Sequence, residues 1–355
     1  MKILCICPIG IGNYLLCYPA WKLLARYLPD ARLHLLALRK PIVDLAARDP
    51  LWQRIHCIDP TKDKGPGAVV SFILRLRHER YDAGISYFPS NTWQYNLLPF
   101  LAGIRVRTAF HYLLKGTGSL SLLATSRLPV DPRLHDVRQN IMLTGHFLKK
   151  DLSEEPAEFP QLFTDDDVSR MAEFLPGGGR RYIAVHPGSS AEHGMDAKRW
   201  PAERFGVLAE RAAKRLGAHV LIFGGPEETT LKRKTASCLS QPYRIIDSMP
   251  LPLTAAILRR CVFCLCNDSG IMHLAACGGV PTAALFGPTD ERRNGPYGDH
   301  HCIIRKRDGT GPLWTAANVG SRSVPAGTDP RRSLLGLTVD EAWAQLEPFL
   351  HRIPL

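Results

Sequence analysis

The sequence lacks any long hydrophobic run. No segment of its 355 residues approaches the ~18 to 20 consecutive apolar residues that cross a bilayer. The N-terminal segment, MKILCICPIGIGN, has one lysine and a short apolar run but no small-residue cleavage site. We therefore interpret it as a first β-strand rather than a signal peptide, and we expect a cytoplasmic protein.

Metal-ligand spacing is absent as well. Among ten cysteines, Cys261 and Cys264 form a C-x-x-C pair, but no second pair and no histidine pair has the spacing of a zinc site. Cys5, Cys7 and Cys266 lie in strand-like runs, which indicates buried free thiols in a reducing compartment. The sequence therefore predicts no metal site.

Acidic residues are fewer than basic ones. Asp and Glu number 33 against 45 Lys and Arg, which gives a formal net charge of +12. The basic residues are dispersed, so two interpretations stay open: a solvated surface, or a face that meets nucleotide phosphates, a phosphorylated acceptor or an acidic membrane leaflet. Because no nucleic-acid recognition motif accompanies the charge, nucleic acid is not an expected partner.

Short apolar runs alternate with helical patterns along the whole chain. Strands are predicted at Lys2–Cys7, Leu33–Leu38, Arg54–Ile58, Ala83–Tyr87, Tyr182–Val185, His219–Phe223, Arg244–Ile246, Cys261–Cys266 and Thr282–Phe286. Helices are predicted at Tyr14–Tyr27, Val69–Arg80, His135–Lys149, Glu203–Leu216, Ile271–Cys277 and Val339–Leu350. This alternation predicts an α/β protein with parallel, doubly wound sheets.

The pattern is interrupted once, at Asp151–Arg181, which is acidic and then rich in Pro and Gly around a short helix near Thr164–Phe174. That composition is typical of a linker, and the length allows two domains, each with its own core. We predict an N-terminal domain over 1–165, a C-terminal domain over 166–335 and a terminal helix over 336–355. Asp308–Leu334 is expected to form an ordered surface loop. The oligomeric state is not predicted.

Four predicted strand ends in the second half carry polar, Gly-rich loops. Their sequences are HPGSS from His186, GGPEE from Gly224, NDSG from Asn267 and FGPTD from Phe286. Because the carboxyl ends of parallel strands meet at one edge of a sheet, we expect these loops to form a common rim. Each loop alone is explained by turn chemistry, but four together favour a shared ligand.

The NDSG loop joins a strand to a helix. Asp268 and Ser269 are residue types that accept hydrogen bonds from the free N–H groups at a helix start, and Gly270 lets a ligand approach the backbone. A helix N-terminus attracts anions, so this loop predicts a phosphate-type site. The alternative is that Asp268 and Ser269 only cap the helix and that His273 is a core residue.

The first predicted strand is followed by a second Gly-rich segment. Gly10 and Gly12 do not complete a dinucleotide fingerprint, because Leu15 occupies the third glycine position. The segment with Asn13 is therefore a weak cofactor signal, and we interpret it as a place where a substrate approaches the backbone.

These motifs together resemble glycosyltransferase family 9, the ADP-heptose:lipopolysaccharide heptosyltransferases. The resemblance covers nearly the whole chain: GIGN, HDVRQN, HPGSS, AKRWP, GGPEE, NDSGIMHLAA and LFGPTD follow in the family's order. It implies a GT-B fold, in which two Rossmann-like domains face each other across a cleft. It also implies transfer of heptose from ADP-heptose to a lipopolysaccharide core or similar glycolipid, with inversion, without a metal and at the inner face of the cytoplasmic membrane.

The resemblance also implies roles for individual residues. Lys198, Ser189 and Ser190 would hold the diphosphate of the donor, and a lysine beside a helix N-terminus provides the positive field that an ADP leaving group needs. Asp268, Ser269 and Gly270 would meet the phosphates or the sugar, Glu228 would reach the ribose or the sugar, and His273 would lie beside the donor. Gly10, Gly12 and Asn13 would face the acceptor.

Asn13 departs from the family pattern, which commonly has aspartate here as the proposed base. An amide does not accept the acceptor's proton at neutral pH; it only orients groups. Another carboxylate or histidine could serve as the base, or Asn13 positions the acceptor while a phosphate oxygen or water takes the proton. Two alternatives to an active transferase stay open: a catalytically impaired nucleotide-sugar-binding scaffold, and another GT-B enzyme such as an epimerase.

Overall fold

The fold is taken from a computed structural model of the chain. The structure describes residues 1–7, 10–59, 63, 65–112, 118–175, 179–190, 192–309, 311–315 and 327–353. Pro8 and Ile9 of the first Gly-rich segment, and much of the predicted loop at Asp308–Leu334, lie outside the described residues.

Strands and helices alternate throughout. The strands are β1 (Lys2–Ile6), β2 (Arg32–Ala37), β3 (Arg54–Cys57), β4 (Ala83–Ser86), β5 (Val106–His111), β6 (Ser126–Pro129), β7 (Arg181–His186), β8 (Ala218–Ile222), β9 (Tyr243–Ile245), β10 (Phe263–Asn267), β11 (Thr282–Phe286) and β12 (Cys302–Arg305). The helices are α1 (Ile11–Tyr27), α2 (Lys40–Ala46), α3 (Pro66–His78), α4 (Gln94–Leu101), α5 (Asp136–Leu148), α6 (Asp165–Met171), α7 (Ala202–Leu216), α8 (Thr229–Ala236), α9 (Leu251–Arg259), α10 (Gly270–Cys277), α11 (Glu291–Asn294), α12 (Arg332–Gly336) and α13 (Val339–Leu350).

The chain divides into two compact units, Met1–Pro160 and a second unit that begins at Gln161 and includes α13. The division lies close to the predicted boundary at residue 165. The short helix α6 of the predicted linker packs against α9, so this part of the linker is built into the second unit. Helix α13, predicted as a separate terminal helix, packs against α7 and β12 of that unit.

The first unit contains a parallel sheet in the order β3-β2-β1-β4-β5-β6. From β1 the chain first builds outward through β2 and β3, then returns to add β4 on the other side of β1. The order therefore reverses between β1 and β4, which is the place where open α/β sheets bind ligands. Strand β1 is buried beyond its first residue, as expected for a strand covered by helices on both faces.

The second unit repeats this plan in the order β12-β11-β10-β7-β8-β9, also with parallel pairing. Here the reversal falls between β7 and β10. All five residues of β10 and of β11 are buried, because helices cover both faces of these central strands. The prediction of two parallel, doubly wound α/β domains is confirmed.

The predicted start of the first helix is wrong. The sequence placed Gly12 and Asn13 in a turn before a helix at Tyr14, but α1 begins at Ile11 and contains both residues in its first turn. Gly10, directly before α1, has a φ of 114°, a conformation that favours glycine. Its carbonyl then accepts the Tyr14 N–H at 3.2 Å, which extends the helix by one turn.

All ten cysteines are free, and Cys5, Cys7, Cys264 and Cys266 are buried within or beside strands. Within the described part of the chain, no helix combines the length and the apolar character that a bilayer crossing needs.

Candidate active site

The predicted rim of polar loops is formed in the second unit. Four neighbouring strands, in the order β11-β10-β7-β8, lead into these loops at their carboxyl ends. HPGSS lies at the end of β7, GGPEE at that of β8, NDSG at that of β10 and FGPTD at that of β11. The rim thus spans the position where the strand order reverses. The structure brings together five of the predicted donor-site residues through contacts described below: Ser189, Lys198, Glu228, Asp268 and Ser269.

Lys198 and Asp268 form a buried ion pair at this rim. The Lys198 Nζ lies 3.2 Å from Asp268 Oδ2, and the two side chains are 13% and 3% exposed. The opposite charges attract each other strongly at this distance. An ammonium group has three hydrogens, so a single carboxylate contact leaves others for a ligand.

The ionised form of Asp268 is favoured despite its burial. Burial raises the pKa of this carboxyl, but the positive charge of Lys198 and the proximity of His273 outweigh it, so the pKa lies below its usual value. Asp268 is thus negatively charged at neutral pH and balances Lys198. Asn294 Nδ2 also approaches the other carboxylate oxygen, Oδ1, at 3.5 Å.

Ser269 is the cap of helix α10. Its Oγ accepts the Met272 N–H at 3.4 Å, so the predicted capping is confirmed for Ser269, whereas Asp268 is directed to Lys198 instead. Gly270 is the first residue of the helix, and His273 lies on its first turns and is 5% exposed. The N-terminus of α10 therefore lies beside the buried Lys198–Asp268 pair.

His186 connects three of the four loops. Its Nδ1 lies 3.0 Å from Ser269 Oγ, and its Nε2 lies 3.1 Å from Glu228 Oε2. Glu228 also accepts the Gly225 N–H at 2.9 Å through Oε2 and is 4% exposed. Burial raises the pKa of Glu228, but the hydrogen bond from His186, that from Gly225 and the charge of Arg199 lower it below its usual value.

Glu228 is packed directly against the HPGSS loop. A Cβ atom added at Gly188 would lie 1.8 Å from Glu228 Oε1, a separation that real atoms do not adopt. A side chain at position 188 would therefore force the Glu228 carboxylate to move. The carboxylate sits between the ends of β7 and β8 and fixes the two loops relative to each other.

Asn267 and Arg199 hold the same loop from two further sides. The Asn267 side chain accepts the Trp200 N–H at 3.1 Å and donates to the Pro187 carbonyl at 2.8 Å. The Arg199 guanidinium donates to the Ser189 carbonyl and lies 3.6 Å from Glu228 Oε1.

Sequence reasoning did not assign roles to His186, Arg199 or Asn267, although each belongs to a motif it identified: HPGSS, AKRWP and NDSG. For His186 and Asn267 the missing signal was burial, because a polar residue buried at a strand end has to find hydrogen-bond partners in neighbouring loops.

The two serines of HPGSS differ in exposure. Ser189 is 3% exposed, and its Oγ donates to the Met195 carbonyl at 3.1 Å, which ties it to the segment Glu192–Lys198 that carries Lys198. Ser190 is exposed. Of the pair predicted to hold a diphosphate, Ser190 is thus the one with the more accessible side chain.

Gly10, Gly12 and Asn13 lie in the first unit, at the carboxyl end of β1, where the strand order of the first sheet reverses. Asn13 is partly exposed on the first turn of α1. Its Nδ2 would lie 3.6 Å from a Cβ added at Gly10, so the amide sits close over the glycine backbone.

Comparison with known proteins identifies the family. Residues 69–316 match the family described as "Glycosyltransferase family 9 (heptosyltransferase)". The chain belongs to glycosyltransferase family 9. The predicted enzyme class, a glycosyltransferase, is thereby confirmed.

Curated relatives of this family 9 chain extend over most of its length. Lipopolysaccharide heptosyltransferase 2 of Escherichia coli is 26% identical over 330 residues, which cover 86% of this chain and 88% of the relative. Lipooligosaccharide heptosyltransferase 2 of Haemophilus ducreyi is 25% identical over 378 aligned residues and covers 99% of both chains.

Solved structures show the same architecture. Escherichia coli ADP-heptose LPS heptosyltransferase II has a TM-score of 0.74 at 23% identity over 99% of each chain. Escherichia coli heptosyltransferase WaaC with ADP has a TM-score of 0.73 at 17% identity and covers 98% of this chain and 100% of that one. This likeness confirms the predicted GT-B fold.

Proposed function

We propose that this family 9 glycosyltransferase transfers heptose, or a closely related sugar, from ADP-heptose to a lipopolysaccharide core or similar glycolipid acceptor. The observation that carries the proposal is the buried Lys198–Asp268 pair at the N-terminus of α10. The names of the curated relatives support the choice of sugar and acceptor, because heptosyltransferases of lipopolysaccharide and lipooligosaccharide match across 86% to 99% of this chain.

The donor diphosphate would be bound by fixed positive charge. As the bond from the anomeric carbon to the phosphate oxygen breaks, negative charge grows on ADP, and groups that stabilise this charge lower the barrier. Lys198 keeps hydrogens for phosphate oxygens, and the free N–H groups of α10 at Ser269 and Gly270 add partial positive charge. Transfer would therefore need no metal ion.

The remaining contacts to the donor follow the geometry of the rim. Ser190 is exposed and reaches the diphosphate, while Ser189 fixes the segment that carries Lys198. Glu228 holds the HPGSS loop in place and presents a carboxylate to a ribose or sugar hydroxyl. His273, buried near Asp268, lines the donor side of the helix.

The acceptor hydroxyl would approach Asn13, on α1 of the first unit. The acceptor oxygen attacks the anomeric carbon from the face opposite the departing ADP, which inverts the configuration. The amide of Asn13 orients that hydroxyl, and its proton passes to a phosphate oxygen, to water or to another carboxylate or histidine, because a neutral amide is not a base. The enzyme would work in the cytoplasm at the inner face of the membrane, where such acceptors are anchored.

Nucleotide titration tests the donor site. Calorimetric titration of the purified chain with ADP, UDP and GDP, without added metal and with a chelator present, is expected to show selective ADP binding. Lys198→Met should weaken ADP binding by about tenfold to a hundredfold, because a charge-assisted contact to the phosphates contributes about 1.5–3 kcal/mol. Release of ADP from ADP-heptose should require a glycolipid acceptor.

Lys234→Met is the matched control. Lys234 also forms an ion pair, with Glu203 at 2.9 Å, but both side chains are more than half exposed on α8 and α7. This variant should bind ADP as the unaltered chain does. Failure of the unaltered chain to bind any of the three nucleotides would reject the proposal, and ADP binding that survives Lys198→Met would remove Lys198 from the site.

A further inference from the structure

Helix α3 of the first unit exposes large apolar side chains next to arginines. Val69, Val70 and Leu74 are 37%, 55% and 59% exposed, while Phe72 and Leu76 of the same helix are buried in the core. Arg75 and Arg77 follow Leu74 on either side of Leu76, and both are exposed. Surface helices normally place polar residues on their outer face, so this mixture of aliphatic and basic residues needs an explanation.

A groove runs between α3 and the edge strand β3. Its volume is about 710 Å³. Val70 and Leu74 form an apolar wall. Two guanidinium groups and two imidazole rings also line the groove, from Arg54, Arg75, His56 and His78. The groove therefore combines a surface for hydrocarbon with several donors for an anion, the two features that an anionic amphiphile needs.

The positive charge of this groove is only partly neutralised. Its one carboxylate, Glu79, is shared between Arg54 and Lys2, whose Nζ lies 3.0 Å from Glu79 Oε2. Arg75 donates to Ser71 Oγ at 3.0 Å and has no carboxylate within ion-pair distance among the described residues. A bound anion would therefore meet a guanidinium whose charge is not already paired.

Helix α3 spans the first sheet from one edge to the other. Strand β3 ends at the carboxyl edge of the sheet, and α3 begins there and runs back to the opposite edge, because the crossover leads to the parallel strand β4. Val69 and Val70 lie in its first turns. They are therefore near the same edge of the first sheet as Gly10 and Asn13, whereas Arg54, which opens β3, and Arg75, in the last turn of α3, lie toward the opposite edge.

We infer that the α3–β3 groove docks the first unit onto an anionic bilayer. A phospholipid phosphate enters between Arg54 and Arg75, and Val70 and Leu74 insert among the hydrocarbon chains at the interface. The inference rests on the proposed function, since it names the surface that brings the enzyme to its membrane-anchored acceptor. Both attractions are of the kinds that hold peripheral proteins on membranes.

Vesicle sedimentation of the full chain tests the docking. Vesicles of phosphatidylcholine with phosphatidylglycerol should bind the protein, and pure phosphatidylcholine vesicles should not. The double variant Arg54→Gln/Arg75→Gln should reduce the partition coefficient by more than tenfold, because each basic residue near an anionic surface contributes about fivefold. Leu74→Ser should also weaken binding while leaving the net charge unchanged.

Two control variants separate the groove from the total charge. Arg215→Gln/Arg233→Gln removes the same charge from exposed positions on α7 and α8 of the second unit. Leu335→Ser removes an apolar side chain that is 45% exposed on α12. Both should keep vesicle binding within about twofold, since neither lies in the groove. Equal losses in groove and control variants would overturn the inference, as would vesicle binding unaffected by the groove variants.

Two further measurements distinguish other outcomes. Saturable binding of inorganic phosphate that the groove variant abolishes, without any vesicle association, would assign the groove to a free anion and overturn the docking. ADP titration of the groove variant should match that of the unaltered chain. If the unaltered chain binds ADP but does not bind vesicles, only the docking is rejected. If it binds vesicles but does not bind ADP, only the proposed function is rejected.

Discussion

In the proposed function, Asn13 is the residue that the acceptor hydroxyl approaches. It sits on the first turn of α1, at the end of β1, and its amide lies close over Gly10. An amide offers both a donor and an acceptor to a hydroxyl but takes up no proton at neutral pH. The side chain therefore fits a positioning role, with the proton taken by another group.

We predict that Asn13→Asp raises the turnover number, by up to about a hundredfold, because a carboxylate at this position adds general-base catalysis. The rate of ADP release from ADP-heptose in the presence of acceptor measures the effect. The turnover of the variant should also fall as the pH drops below the pKa of a carboxyl group, which is about 4, because protonation removes the base.

Asn13→Ala serves as the control for this experiment, since it removes the amide and adds no base. It should lower turnover and leave ADP affinity unchanged. If Asn13→Asp instead abolishes turnover while ADP still binds, the amide has a specific role that a carboxylate cannot take over.

At the scale of secondary-structure elements, the candidate site depends on how the ends of β7, β8 and β10 are joined. His186 on β7 links Ser269 after β10 to Glu228 after β8. All three side chains are nearly inaccessible to solvent. A buried polar network of this kind is rigid only while each member keeps its partners.

We predict that Gly188→Ala weakens ADP binding by at least tenfold and lowers the thermal unfolding midpoint. The added methyl group would overlap Glu228 Oε1, so the carboxylate must move away and release its bonds to His186 and Gly225. Loss of a buried charged hydrogen bond costs about 1–3 kcal/mol or more. Calorimetric ADP titration and thermal unfolding measure the two effects.

Gly67→Ala in α3 provides the matched control, because a Cβ there meets nothing within 4 Å. The same change of residue should leave ADP affinity unaltered and raise stability slightly, by about 0.4–1 kcal/mol, since alanine restricts the unfolded chain. An unchanged affinity in Gly188→Ala would show that the Glu228 network is not needed for donor binding.

The sequence predicted the elements with strong apolar patterns. The bounds of β11 and α13 agree with the prediction at every residue, and those of β1, β2, β4 and α7 agree within one or two residues. Helix α8, TTLKRKTA, was missed because one leucine in eight residues sets up no apolar period. Strands β5, β6 and β12 were missed as well.

At the scale of the whole molecule, each unit contains a histidine that folding holds in the neutral form. In the first unit, burial and the neighbouring His34 lower the pKa of His56 to about 4. In the second, burial and His300 lower the pKa of His301 to about 4. His301 Nδ1 accepts the Thr282 N–H at 3.2 Å, a bond that a protonated ring would lose.

We predict that both units lose stability as the pH falls from about 6.5 to about 4. In this window the unfolded chain binds protons at these histidines and the folded chain does not, so acid favours unfolding. For His301 the loss should be on the order of 2 kcal/mol, after allowance for its partial exposure to solvent. Thermal unfolding midpoints followed against pH measure it.

His301→Gln should flatten this pH dependence for the second unit and leave that of the first unit in place. The glutamine oxygen can still accept a hydrogen bond but does not titrate in this range. A pH profile identical to that of the unaltered chain would show that His301 does not contribute to acid unfolding.

The sequence alone determined the alternation of strands and helices, the free cysteines and the resemblance to family 9, because apolar periodicity and motif order are local properties of the chain. It also identified Lys198 and Asp268, seventy residues apart, as members of one site. Only the tertiary structure decided that they form a buried ion pair, that Ser269 rather than Asp268 caps α10, and that His186 joins three loops. Partners in hydrogen bonds and ion pairs depend on strand order and burial, and these arise when distant segments pack together.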